Sequence, residues 1–382
     1  MSEKYTSSGA RSITEIGLND AGLDLVPENS IIVSNRAPIG LISIASNPLS
    51  TNQGCKALVL EKGVPDYLYY CLACSSQELE RLGKGTTFLE LSAQDLGSHK
   101  IPWPSARIQT AISEYLDQKT AEIDSLIEQT ERSIKLLEEY RKSVISEAVT
   151  KGLDPNVPMK DSGIDWIGDI PRTWSTQPLK YITLSIESGR SVDGSNYPAS
   201  ENEHGVLTLS SVYKASFNPQ ANKAVEDAES ISLLRCPVKG GSLLISRCNT
   251  SEWVGTAAIV ENDIPNLFLP DKIWQLGFSS WALCRWIWYS LQSNYARHYF
   301  AVNSVGASST MQNISKDDLL ALVIPVPPAN EQNAILAHLD KEVDAINQSV
   351  TARKSFIAKL QEYRKSLISE AVTGKFVVPG VE

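Results

Sequence analysis

Two stretches of the chain carry apolar residues at helical spacing. In the first, 105–150, Ile112, Leu116, Ile123, Leu126, Ile134, Leu137, Val144 and Ala148 form a stripe with charged residues between them. In the second, 329–373, Ile335, Leu339, Ile346, Val350, Ile357, Leu360, Leu367 and Ala371 do the same. The pattern is amphipathic and close to a heptad, which predicts two long helices with a coiled-coil seam. Prolines 102, 104, 325, 327 and 328 prevent either helix from starting earlier, and Gly152 and Gly374 stand where a C-terminal cap belongs.

The segments in front of each helix have a different rhythm. Short β-prone runs such as 30–34 (SIIVS) and 242–246 (SLLIS) are broken by Gly, Pro and Asn. Shorter helices are predicted at 66–81 and 281–299. The fold class is α+β: two mixed, mostly β domains separated by two long antiparallel helices that form a coiled coil, in a pseudo-twofold repeat. The predicted boundaries are 1–104 for the first domain, 105–152 for the first helix, 153–328 for the second domain, 329–374 for the second helix and 375–382 for a tail.

The repeat is explicit. EYRKSVISEAVT at 139–150 returns as EYRKSLISEAVT at 362–373, an offset of 223 with Val144/Leu367 as the only difference. Ile101-Pro102-Trp103-Pro104 matches Ile324-Pro325-Val326-Pro327, and Gln109 matches Gln332, in the same register. A duplication of this length means two similar modules. The domains align more weakly, 30–34 with 242–246 at offset 212. Met1 then aligns with Tyr213, so residues 161–212 have no counterpart, and the first domain is expected to be N-terminally incomplete or built differently.

Short connections on both sides of the second domain imply that the second helix runs back along the first. Helices of about 40 residues are roughly 60 Å long. Two different heads on such a spacer suit a bipartite ligand. Duplex DNA fits, with half-sites one or two turns of roughly 34 Å apart.

Composition narrows the choice of chemistry. The net charge is −9 and the pI about 5.2, which argues against a free-standing nucleic-acid binder but leaves room for a local basic face. Six cysteines in 382 residues do not form a disulfide scaffold, and no apolar run is long enough to span a bilayer, so a reduced, cytoplasmic protein is expected. Cys71 and Cys74 have the spacing of half a zinc site but sit in an apolar stretch, so they read as helical core residues. Amino-methyltransferase, Walker and nuclease motifs are missing, and the four histidines are scattered. No catalytic residue and no metal site is assigned.

Polar loops between the β-prone runs carry the candidate DNA-binding residues. In the first domain these are Arg36, Asn52, Gln53 and Lys56, then Lys84, Thr86 and Thr87 in a Gly-containing loop. In the second they are Arg247, Asn249, Thr250 and Lys272, then Ser308, Ser309 and Gln312 in the loop that matches 83–89 at offset 223. Arg and Lys read guanine edges, Asn and Gln read adenine, and Ser or Thr beside Gly suits close approach to phosphate. In the repeated block, Tyr140, Arg141 and Lys142 with Tyr363, Arg364 and Lys365 are candidate partner-binding residues. Contacts where the helices meet their opposite domains explain that near-identity equally well.

The chain resembles the specificity (S) subunits of type I restriction–modification systems. The resemblance rests on Ser34-Asn35-Arg36-Ala37-Pro38-Ile39-Gly40, Thr51-Asn52-Gln53-Gly54, Trp166-Ile167-Gly168 with Ile170-Pro171 and Trp174, the Ile-Pro-x-Pro segment at 324–327 with Glu331-Gln332, and both Glu-Tyr-Arg-Lys-Ser blocks. It implies two target-recognition domains, each reading half of a split double-stranded DNA site. It further implies conserved helices that space them and dock two methyltransferase (M) subunits, joined by restriction/motor (R) subunits. No cofactor is expected on this chain, while S-adenosylmethionine, ATP and Mg are expected on the partners. A scaffold joining two proteins without DNA contact is the alternative, supported by the acidic pI. An enzyme with an unrecognised site has nothing positive in its favour.

Overall fold

The computed structural model describes residues 3–9, 11–85, 89–308 and 311–379. The two amphipathic stretches are helices Ala106–Lys151 and Ala329–Val372. Gly152 and Gly374 follow them at φ +76° and +69°. This left-handed conformation is open to glycine at little cost and turns the next amides back on the last helical carbonyls. Gly152 N donates to the Ala148 carbonyl at 3.2 Å, and Lys375 N to that of Glu370 at 3.0 Å.

The chain divides into two compact units, Met1–Ser133 with Thr351–Glu382, and Ile134–Val350. Each long helix therefore contributes a segment to each unit. Within the first unit the segments are antiparallel: Arg364 meets Asp124 and Arg353 meets Ser133. Within the second, Arg141 meets Asn347. The seam is deepest away from the middle of the helices. Ile112, Leu116, Ile123, Leu367 and Ala371 are buried in the first unit, and Ala148, Ile335, Leu339 and Ile346 in the second. Leu126 departs from expectation at 44% exposed, because the neighbouring Ile127 packs into the core in its place.

In the first unit, strands Tyr5–Thr6, Ile42–Ala45, Ile31–Ser34 and Cys55–Leu58 lie side by side in that order. Only the Tyr5–Thr6 pairing is parallel. Helix Pro65–Cys74 has work for two of its faces, as the three-to-four spacing allows. Leu68 and Leu72 join the core over the sheet with Ile31, Val33 and Ile44. Tyr67, Tyr70 and Cys71 join Ile112, Leu116 and Leu367 of the long helices.

In the second unit, strands Ala257–Val260, Ser242–Ser246, Ile273–Gly277 and Ser185–Ser188 form an antiparallel sheet. A second sheet holds Asn222–Val225, His204–Leu207, Ile264–Phe268 and Pro237–Val238. Strand Ser242–Ser246 is buried throughout because alternate side chains serve different cores. Leu243 and Ile245 pack with Trp286 and Ile287 of helix Trp281–Gln292. Leu244 packs with Ala258, Val260 and Leu267 toward the second sheet.

The units share a plan that the side chains confirm. The three strands 42–45, 31–34 and 55–58 correspond to 257–260, 242–246 and 273–277 in the same antiparallel order. The fourth strand lies on opposite edges, parallel at one and antiparallel at the other. Among the described residues the first unit has nothing like the second sheet. Tyr67 Oη donates to the Pro102 carbonyl at 3.0 Å, and Trp286 Nε1 to the equivalent Pro325 carbonyl at 2.8 Å. Tyr70 donates to Asp117 at 2.6 Å, and Tyr289 to Asp340 at 2.9 Å. A cation completes each cluster, Lys4 on Asp117 and Arg285 on Asp340. Each helix start is thus clasped to its domain by the same bonds. Asp340→Ala is expected to cost about 1–3 kcal/mol by leaving Tyr289 and Arg285 without their acceptor. Urea unfolding of the variant against the parent measures it.

Two predicted helices are each divided in two. Residues 66–81 form Pro65–Cys74 and Ser76–Leu82, and 281–299 form Trp281–Gln292 and Asn294–Asn303. Serines make both breaks, because a hydroxyl competes for the backbone's hydrogen bonds. Ser75 Oγ donates to the Cys71 carbonyl at 3.0 Å. Ser293 turns extended, bonds the Ser290 carbonyl and caps the next helix.

Candidate nucleic-acid interface

In both units the end of the central strand runs into a loop that pairs with a hairpin. In the first unit, Arg36 and Lys84 each form an isolated bridge with Glu90, and Leu91 N donates to the Asn35 carbonyl at 2.8 Å. In the second, Cys248–Asn249 pairs with Met311–Asn313, which pairs in turn with Val305–Ser308, and Ile314 N donates to the Arg247 carbonyl at 3.1 Å. Leu91 and Ile314 stand at the repeat offset of 223, so the two loops are built alike.

This construction brings several predicted residues together. Asn249 lies directly opposite Gln312, and Arg247 N donates to the Lys272 carbonyl at 2.9 Å. Arg247, Asn249, Lys272 and Gln312 therefore share one edge of the second unit. The Arg247 guanidinium lies 5.9 Å from the ring centre of Trp274, while Asn249 Oδ1 accepts from Thr250 N at 2.9 Å. Arg247 and Lys272 are exposed, and Asn249 and Thr250 half-buried. Ser308 ends its strand, and Ser309 lies outside the described residues.

The first unit brings Arg36 and Lys84 to either side of one acid. Arg36 meets Glu90 at 3.3 Å, and Asn35 Nδ2 donates to the same carboxylate at 3.0 Å. Lys84 reaches Asp95 at 3.0 Å. The Ser92 hydroxyl, and then Lys84, hold the Asp95 carboxyl below its usual range. These are exposed pairs of small energy that a phosphate can displace. Asn52 Oδ1 accepts from Gly54 N at 2.9 Å and so shapes its own turn. Asn35 N donates to the Gly54 carbonyl at 2.9 Å, which brings this turn beside Arg36. Gln53 is exposed, and Lys56 is half-buried in strand Cys55–Leu58. Thr86 and Thr87 lie outside the described residues.

The repeated helical block divides into two roles. Arg141 donates to Asn347 at 3.4 Å, and Arg364 pairs with Asp124 at 3.0 Å. Both cations and both acceptors stand 223 residues apart, so the two arginines bind the opposing helix in the same way. Tyr140, Lys142, Tyr363 and Lys365 are exposed. Tyr140 at 54% and Tyr363 at 55% present their rings to solvent. Cys71 is buried among tyrosines, which pushes its thiol up to about 12, and Cys74 donates to the Cys71 carbonyl at 3.3 Å. Among the described residues there is no helix long and apolar enough to cross a membrane.

Two similar heads, each with a polar loop and hairpin at one edge and each clasped to a long helix, define a class of modular recognition proteins. The family model of the type I restriction modification DNA specificity domain matches residues 2–136 and 213–355, and the chain belongs to that family. It is 33% identical over 192 residues to the type I restriction enzyme MjaIX specificity subunit of Methanocaldococcus jannaschii, which is 48% of this chain and 42% of that one. It is 25% identical over 307 residues to the EcoKI specificity subunit of Escherichia coli K12, covering 78% of this chain and 62% of that one. The chain thus spans less than two thirds of either relative. Its fold is similar to that of a chain solved in work on complex assembly and conformational transition of the type I R-M system. That match has a TM-score of 0.70 and 16% identity, over 92% of this chain and 83% of that one.

Proposed function

We propose that this chain is the sequence-specific DNA-recognition subunit of a cytoplasmic type I restriction–modification complex. It is not itself an enzyme. One head, 1–104, reads one half of an asymmetric bipartite duplex site, and the other, 153–328, reads the second half. The helices at 105–152 and 329–374 space the heads and dock two methyltransferase subunits, with restriction/motor subunits joining the complex. S-adenosylmethionine, ATP and Mg belong to those partners. The observation that carries this reading is the repeated loop-and-hairpin edge, whose architecture is common to both units while its polar residues differ. Arg36 and Lys84 in one, and Arg247, Asn249 and Gln312 in the other, are donor sets for different base edges.

Arg247→Ala and Asn249→Ala are each expected to cost about 1–3 kcal/mol at one half-site and nothing at the other. Duplex binding by the assembled complex, measured on sites mutated in either half, is the test. A loss spread over both halves, or no loss, would sink the assignment of that edge. The purified chain supplied with S-adenosylmethionine is expected to transfer no methyl group to DNA. Methylation by the chain alone would overturn the non-catalytic reading.

A further inference from the structure

The second unit contains a cleft of about 370 Å³ that the recognition edge does not use. Six elements line it: the first long helix, the hairpin of Val212–Tyr213 and Ser216–Phe217, the turn after Asn249, strand Ala257–Val260, and helices Trp281–Gln292 and Asn294–Asn303. Five cationic or titratable side chains line it: Arg141, Lys142, Lys214, Arg297 and His298. Glu252 is the only acid in the lining. That balance is the reverse of the chain as a whole, whose net charge is −9. Trp253, half-buried, is the apolar floor of the cleft, since Ile145 and Leu291 in the lining are each only 1% exposed.

The cations differ in how far they are already committed. Arg297 donates to the Glu252 and Val254 carbonyls and stacks on Phe300 at 5.5 Å. Desolvation brings its guanidinium down to about 10. Arg141 is also desolvated and lowered, and it donates to Asn347. Lys142, Lys214 and His298 are exposed and have no ion pair among the described residues. Lys214 is held over the cleft at a cost. Lys214 and Ala215 have φ of +49° and +59°. That is the two-residue hairpin turn normally given to Asn-Gly, and strain of this kind concentrates at functional sites. Trp288 Nε1 fixes the turn by donating to the Ala215 carbonyl at 3.1 Å.

We infer that this cleft binds an acidic, apolar peptide segment of a protein partner, with carboxylates on Lys142, Lys214 and His298 and a leucine or aromatic side chain on the floor. This rests on the reading that the block containing Arg141 and Lys142 docks a protein. A DNA backbone would satisfy the lysines but leave the apolar floor uncovered. A peptide covers both, and the volume is within the range of built binding pockets, about 300–1,000 Å³.

The test is a random hexapeptide display library panned on the full chain. Enriched peptides are expected to carry at least two carboxylates and one leucine or aromatic residue. Their affinity should fall at least tenfold in Lys142→Glu/Lys214→Glu and be retained in Lys142→Arg/Lys214→Arg. Both lysines are exposed, and matched melting temperatures establish that the variants fold. No enrichment, or peptides indifferent to charge reversal, overturns the inference. So does charge reversal that weakens only a 30-bp random duplex, which would make the cleft a phosphate site. Co-purification of a methyltransferase subunit with Tyr140→Ala/Tyr363→Ala, residues outside the cleft, tests the docking reading separately. Undiminished recovery would end that reading while leaving a peptide-binding result in place.

Discussion

Trp286→Ala is expected to lower the unfolding free energy by about 3–5 kcal/mol, the usual cost of emptying a buried aromatic site. The side chain is 0% exposed, lies edge-on to Trp174 with ring centres 5.7 Å apart, and donates to the Pro325 carbonyl at 2.8 Å. The variant therefore creates a cavity and removes the bond that fixes the chain where the second long helix begins. For a unit the size of residues 134–350, the loss corresponds to a melting-point drop of roughly 6–20 °C. Trp286→Phe keeps most of the volume and isolates the missing N–H donor, at about 1–3 kcal/mol. Trp281, 41% exposed, is the control, with Trp281→Ala expected within about 0.5 kcal/mol of the parent. Calorimetry of the three variants decides it. Equal effects at 281 and 286 would mean that the Trp286 contact does not hold the helix.

The long helices were legible because their period is set by geometry and repeated over many turns. Both ends fell within two residues of the sequence reading, where proline and glycine mark them. The shorter helices were harder, since Ser75 and Ser293 look like tolerable helix residues until their hydroxyls are seen bonding the preceding carbonyls. The clasp was hidden for a different reason. Tyr67 and Trp286 do the same work but differ in type and stand 219 apart, while their carbonyl partners stand 223 apart. An alignment by the helices misses them. The second sheet of the second unit has no repeat to expose it at all.

The candidate site shows the same division. That Arg36 and Lys84 converge was not visible from positions 48 residues apart, because Glu90 brings them together through backbone pairing. The near-identity of the helical block pointed to a partner surface or to contacts with the opposite domains, and Tyr140 and Tyr363 are exposed. For Arg141 and Arg364 the cause is internal. Their acceptors Asn347 and Asp124 obey the same offset of 223, a signal that was present in the sequence.

One heptad added to each long helix is expected to lengthen the DNA spacer by up to about three base pairs. Seven residues extend a helix by roughly 10 Å, and duplex DNA rises about 34 Å per ten base pairs. Position matters, because the pairs Ser133–Arg353 and Arg141–Asn347 set the antiparallel register. An insertion after Lys135 and another after Thr351 lie between those pairs on both helices. Each unit then keeps its own contacts, and a seven-residue step preserves the apolar seam. A four-residue insertion in one helix alone breaks the register and is expected to abolish assembly or activity. Mapping methylated sites in cells that carry the double-insertion variant gives the spacer directly. Rotation of the heads around the duplex reduces the rate, and the shift in spacer length is the readout. An active variant with its original spacer would show that the helices do not measure the site, and the two heads would remain as independent readers of DNA.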